Sequence, residues 1–271
     1  MKGLSRSNLF YMRQLADTWP GEIVQQAVGQ LGWGHITVLL DKLDDQATRD
    51  WYAAETVRHG WSRDMLLNQI KGQLHRRVGA APSNFEVAVA EGESELVQQM
   101  VKDPYNFEFL GLSAAHSERE LEDSLVAQVR DFLLEMGQGF AFVGRQHHIE
   151  VDGDDFYIDL LLYNVPLHRY VVVELKIGKF TPADSGQLNT YVNTVDGELL
   201  TQGDNPTVGI LLCADRNERV VKYALGGTTS PMAVARYEAL PAEVRDALPA
   251  AGCRRTRGCD RAGRLVCAAH R

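Results

Sequence analysis

Long apolar runs are missing from this 271-residue chain. None approaches the roughly 20 residues that span a bilayer, so no membrane partner is expected. Cysteine is scarce, at four residues, which excludes a disulfide-stapled fold. Cys213 stands alone in an apolar segment and reads as a small core residue. Cys253, Cys259 and Cys267, followed by His270, lack the close Cys-x2-Cys pair of a structural zinc site. Internal repeats are absent. Residues Met1–Ser7 carry no apolar signal core, and a cytoplasmic location is the expectation.

Net positive charge is lacking as well. The formal charge is −8; residues 253–271 hold six Arg and one Asp, or +5, which leaves −13 for residues 1–252. An acidic body excludes a generic nucleic-acid coat, whose affinity comes from neutralising phosphates. It is compatible with an enzyme that gathers carboxylates around a divalent cation, because the cation reverses the local field an anionic substrate meets.

What is present divides unevenly. Residues 1–79 read as a helical, helix-turn-helix-like domain. Ser5 or Ser7 can cap a helix carrying Leu9, Met12, Leu15 and Ala16; Ile23, Val24, Ala27, Val28 and Leu31 repeat at helical spacing; further helices are expected near 34–43, over 45–59 and from the Ser62 cap. Residues 80–104 read as an irregular, partly acidic linker. A second domain is expected over 105–248, and an Arg- and Cys-rich, disordered tail over 249–271. In the second domain Ser117 and Glu120 form a capping-box pattern ahead of one helix reaching Met136, with Leu121, Leu125, Val129, Phe132 and Met136 on one face. Strands follow at 140–150, 155–163 and 169–177. Thr181-Pro182-Ala183-Asp184 starts a helix. A strand at 207–214, a short helix at 216–225 and a strand at 232–237 complete the pattern. Alternating strands and helices of this kind predict an α/β domain with a mixed sheet.

Two of these strands carry the chemistry. If they form an antiparallel hairpin whose four-residue loop is centred between Pro166 and Leu167, Asp159 faces Glu174. Directly paired residues share a face, and so does Lys176, two residues on. Two carboxylates on a strand flanked by Val and Leu are costly without compensation, and a divalent cation is the natural one. Oxygen ligands favour Mg²⁺, or Mn²⁺, over zinc. A plain Lys176 salt bridge at a strand end is the alternative.

The same residues carry a family resemblance. Asp159, Glu174-Leu-Lys176 and a preceding helix with Glu118 or Glu122 look like the PD-(D/E)XK nuclease core. The blocks Phe132–Gln146, Ile158–Tyr163, Val173–Phe180 and Gly186–Tyr191 resemble the YhcG-type bacterial PDDEXK family, and Gly3–Asn8, Trp51-Tyr52 and Gly60–Arg63 resemble its helical N-terminal domain. The resemblance implies a restriction-endonuclease-like fold and Mg²⁺-dependent cleavage of DNA, with RNA left open. It implies that Asp159, Glu174 and the Leu175 carbonyl bind the metal, that Lys176 orients water or stabilises charge, and that Glu122 adds a carboxylate, with Glu118 as competitor. Gln187 and Tyr191, at i and i+4, would contact phosphate or position Lys176; Arg145 and Gln146 would reach a phosphate. A homo-oligomer through the helical domain is a further expectation. The alternatives are a non-cleaving nucleic-acid-binding module and a partner-recruiting scaffold.

Overall fold

The structure is a computed structural model that describes residues 5–21, 26–90, 92–113, 116–137 and 139–239. Ile23, Val24 and the tail with Cys253, Cys259, Cys267 and His270 lie outside the described residues. Among the described residues no helix is long and apolar enough to cross a membrane.

The N-terminal part is helical: α1 (Arg6–Thr18), α2 (Trp33–Lys42), α3 (Gln46–His59), α4 (Arg63–Lys71) and the one-turn α5 (Leu74–Arg77). The caps are the ones the sequence offers. Ser5, Asp45 and Ser62 accept from the backbone N–H three residues on, and Gly60 ends α3 in the left-handed region. Trp19, Leu39, Tyr52, Leu66 and Leu74 fill its core. Two expectations change. Ala27–Gln30 forms a 3-10 turn where a helix was expected, and α1 buries no residue, leaving Leu9, Phe10 and Met12 exposed.

Residues 80–104 differ from an irregular linker. They carry α6 (Phe85–Ala88) and α7 (Ser94–Gln99), and Ala81, Phe85, Val97 and Val101 are buried in the core of the following sheet. Apolar residues spaced along a polar, Pro- and Gly-marked segment hid this packing, since a short helix shows no full period.

The sheet has six strands in the order β1-β6-β5-β4-β3-β2: β1 (Tyr105–Asn106), β2 (Phe140–Val151), β3 (Asp154–Asn164), β4 (Arg169–Lys179), β5 (Val208–Asp215) and β6 (Met232–Glu238). Strands β2, β3 and β4 are antiparallel; β4, β5, β6 and β1 run parallel. The two-residue β1 carries too little pattern to be foreseen. On one face pack α8 (Glu118–Ala127) and α9 (Val129–Met136), through Leu121, Leu125, Phe132 and Met136. On the other pack α10 (Pro182–Glu198) and α11 (Glu218–Leu225), through Leu188, Val192, Val195 and Val221. The helix expected over 117–136 is therefore two. Gln128 leaves helical geometry (φ −114°, ψ 39°), which lets α8 hold its first turns beside the β4 end while α9 buries its own apolar face.

Candidate active site

The β3–β4 hairpin has the register expected from its turn. Asn164 pairs with Arg169 across a four-residue loop, and the ladder runs to Leu160 opposite Val173. There it stops. Strand β3 continues with β2 as far as Val151 opposite Asp154, while β4 continues with β5 as far as Lys179 opposite Asp215, with a register shift after Lys176 opposite Cys213. The sheet forks, and Asp159 and Glu174 are the next residues on the two diverging strands.

Their side chains fill the fork. Asp159 Oδ2 accepts from the backbone N–H of Leu175 at 2.9 Å, replacing a ladder bond that the divergence removes. A strand residue's N–H and C=O leave along the same edge, so the Leu175 carbonyl faces the fork too. Glu174 is 2% exposed, and its Oε1 accepts from Lys176 Nζ at 3.0 Å. Its Oε2 is buried with no hydrogen-bond partner. Burial first, and the Asp159 charge second, push the Glu174 carboxyl up to about 7. Asp159 is also raised, chiefly by burial, against the lowering effect of the Leu175 N–H. Burial opposes the charge on Lys176, yet Glu174 beside it keeps the ammonium above its ordinary value.

The first turns of α8 close the site from one side. Glu122 is buried, and Gln146 Nε2 donates both to Glu122 Oε2 (2.9 Å) and to Asp159 Oδ1 (3.0 Å). Gln146 does this from a left-handed backbone, φ 41°, in the middle of β2, where the ladder skips from Arg145–Leu160 to His147–Ile158. Such strain persists only where the surroundings hold it. Arg145 Nε lies 3.1 Å from Glu122 Oε1, an ion pair without a hydrogen bond, and its Nη1 lies 2.7 Å from Asp123. Burial chiefly raises the Glu122 carboxyl. Glu118, one turn earlier, accepts from the Ile177 N–H at 3.2 Å. Both glutamates thus reach the fork, Glu122 towards β3 and Glu118 towards β4.

Arg145 and Gln146, expected at a phosphate, are engaged here by carboxylates within the molecule. Gln187 Nε2 donates to Tyr191 Oη at 2.9 Å, while Lys176 Nζ donates to Glu174 Oε1 and not to this pair. Tyr191 instead meets Phe156 of β3 edge-to-face at 6.5 Å. The α10 start is as expected, with the Asp184 carboxylate accepting from the Thr181 N–H (2.7 Å) and hydroxyl (2.9 Å). Gly209 lets α10 approach β5, since a Cβ there would meet Leu188 and Val192 at 2.9 Å.

Residues 98–249 match the family model of the YhcG PDDEXK nuclease domain, and residues 1–77 match that of the DUF1016 N-terminal domain. The chain belongs to the YhcG PDDEXK nuclease family. A curated relative, "Putative nuclease YhcG" of Escherichia coli (strain K12), is 36% identical over 201 residues, 73% of this chain and 54% of the relative. The chain thus spans about half the length of that relative. Among solved structures, a repair endonuclease from Pyrococcus abyssi is 18% identical with a TM-score of 0.31, covering 48% of this chain and 49% of its own. An EndoMS–dsDNA complex is 18% identical with a TM-score of 0.32, covering 46% and 45%. Likenesses this low add nothing to the topology described above.

In this YhcG-family chain the donor set can be weighed directly. Among the described residues no three His, Cys, Asp or Glu side chains form a metal-holding group by themselves. Glu122 and Glu118 reach in from α8 to Gln146 and the Ile177 N–H, while Asp159, Glu174 and the Leu175 carbonyl are the donors between the diverging strands. That set suits Mg²⁺, which is held by one or two carboxylates and keeps waters and substrate phosphate oxygens in its other positions. The buried Glu174 Oε2, which has no hydrogen-bond partner, is the observation that fits a cation between these strands. Sequence reasoning missed Asp123, the second partner of Arg145; its adjacency to Glu122 was the only signal.

Proposed function

We propose that this chain is a nuclease that hydrolyses phosphodiester bonds of DNA with Mg²⁺, Mn²⁺ serving in its place. Asp159, Glu174 and the Leu175 carbonyl would hold the cation. When bound, it supplies Lewis-acid neutralisation of charge at the phosphate. Lys176, held by Glu174 at 3.0 Å, orients the attacking water and offsets the negative charge that builds on phosphorus-bound oxygens as water adds and the ester oxygen leaves. Glu122 is the additional carboxylate. Through Gln146 it fixes the orientation of Asp159, and Arg145 holds Glu122 in turn. Gln187 and Tyr191, hydrogen-bonded to each other on α10, are assigned to substrate phosphate.

One observation carries the reading: a nearly fully buried glutamate with an unsatisfied oxygen sits beside a second carboxylate and a lysine where the sheet opens. Membership of a nuclease family supports the same chemistry. The test is a cleavage panel of plasmid, linear duplex, branched DNA and RNA with Mg²⁺ or Mn²⁺. Cutting of DNA that stops with a chelator and falls about 10²–10³-fold in Lys176→Ala is expected. No cutting of any substrate, or equal cutting by Lys176→Ala, contradicts it. Cutting of RNA alone would replace the substrate while keeping the chemistry.

A further inference from the structure

Beyond the fork, β2 and β3 continue alone as a two-stranded arm, from His147 opposite Ile158 to Val151 opposite Asp154. Its turn is tight. Asp152 and Gly153 both take positive φ, 51° and 90°, the primed geometry that matches strand twist. One face of the arm is packed: Ile149 and Ile158 are buried in the α10-side core, and Phe156 meets Tyr191. The arm is therefore held in place.

The other face is open, and it is unusual. Tyr157 is 50% exposed and stacks on His148, with ring centroids 4.9 Å apart and planes at 26°. His148 is fixed from behind by a hydrogen bond to Asp155. Tyr157 precedes Asp159 by two residues, so the two Cα atoms lie about 7 Å apart along the strand. Ile158 belongs to the α10-side core, which turns its neighbour Tyr157 to the side where α8 carries Glu122. An exposed, backed aromatic ring thus stands two residues along β3 from Asp159.

We propose that Tyr157, backed by His148, is a stacking platform for an unpaired nucleobase next to the phosphate being cut, so that the preferred substrate has single-stranded or splayed nucleotides at that point. The inference rests on the nuclease reading for which phosphate is cut, and deepens it by naming the substrate class. Charge favours a base over a backbone here. Glu150, Asp152, Asp154 and Asp155 make the arm acidic, so a phosphate backbone is repelled from it. A duplex presents phosphates outward and hides its ring faces, whereas an unpaired base offers a π-face to the tyrosine. A structural role for the ring is weak, because His148 is its sole ring contact among the described residues.

The test is binding of matched fluorescent oligonucleotides, single-stranded and fully paired, by the full chain in chelator, so that no cutting intervenes. Tyr157→Ala is expected to weaken single-strand binding by about 5- to 100-fold, the range of one lost base stack, and duplex binding by less than about twofold. Tyr157→Phe should restore it, since the ring and not the hydroxyl is used. A 2-aminopurine placed as the unpaired base should be quenched by the wild type and less by Tyr157→Ala. Unchanged single-strand affinity in Tyr157→Ala, an equal loss on both substrates, or no single-strand binding by the wild type overturns the proposal. If the binding differences appear and no substrate is cut with Mg²⁺, the platform stands and the nuclease reading fails. If DNA is cut while Tyr157→Ala behaves as the wild type, the reverse holds.

Discussion

Among the buried carboxylates of the described residues, Asp103 and Glu174 are held in opposite ways. Asp103 is nearly enclosed, and every bond it can accept is made. Arg216 donates to both oxygens at 2.8 and 2.6 Å, the Arg236 N–H adds a third bond at 2.8 Å, and the Arg236 guanidinium adds longer contacts. Burial alone would raise its carboxyl, but Arg216 and the Arg236 N–H hold it below the ordinary carboxylate value. At the fork the balance is reversed. Glu174 has one lysine contact and one orphaned oxygen, faces the Asp159 charge, and is pushed up to about 7. A saturated buried carboxylate acts as a structural clamp. An unsaturated one costs stability, and persists where a ligand completes it. The same residue chemistry therefore reads as structure at one end of the sheet and as function at the fork.

The sharpest way to break the comparison is to unsaturate the clamp. Arg216→Ala leaves Asp103 buried with half its partners, and should cost about 3–5 kcal/mol of stability, measured by chemical denaturation. A loss near that of an exposed arginine would remove the contrast.

The second expected effect is pH dependence with opposite signs at the two places, on the order of 3 kcal/mol for Glu174. Glu174 is raised from 4.5 to about 7. In metal-free protein its contribution is fully present below pH 4.5 and is lost as pH rises through 7, because the native state keeps a proton that the unfolded chain has released. Asp103, lowered from 3.8, contributes above that pH and loses its contribution as the medium becomes more acid than its folded value. Glu174→Gln should flatten the neutral limb of the metal-free stability curve and leave the acid limb alone. A neutral limb identical to that of the wild type would show that the fork carries no such penalty.

A smaller effect is expected at Gln146, which bridges Glu122 and Asp159 from a strained backbone. Gln146→Ala should lower metal affinity or cleavage by about 10- to 100-fold, as when a group orienting a ligand is lost. Gln146→Gly, which relieves φ 41° but lacks the amide, should behave alike in activity while costing less stability. Recovery of activity in the glycine variant would assign the residue to backbone geometry alone.

Much of the fork was legible because local rules fix it. The Pro166–Leu167 turn centre sets the β3–β4 register, and Thr181, Pro182 and Asp184 set the start of α10. Residue spacing cannot say where a ladder ends. The divergence after Leu160 and Val173, which makes room between the carboxylates, depends on how β2 and β5 draw the two strands apart. The engagement of Arg145 by Glu122 and Asp123 was equally hidden, because it joins a strand to a helix more than twenty residues away. The break at Gln128 lay inside an unbroken apolar stripe, which a periodicity reading joins into one helix. The burial of Phe85 and Val97 was hidden by the brevity of their helices.

The central claim, that the fork is left unsatisfied for a divalent cation, is tested most directly by thermal unfolding at pH 8 during Mg²⁺ or Mn²⁺ titration. Binding to the native state alone must raise the unfolding midpoint as the cation concentration rises. The wild type should show that rise, Asp159→Asn and Glu174→Gln should not, and Tyr157→Ala should follow the wild type. No rise in the wild type, or an equal rise in the carboxylate variants, would contradict a metal site between β3 and β4.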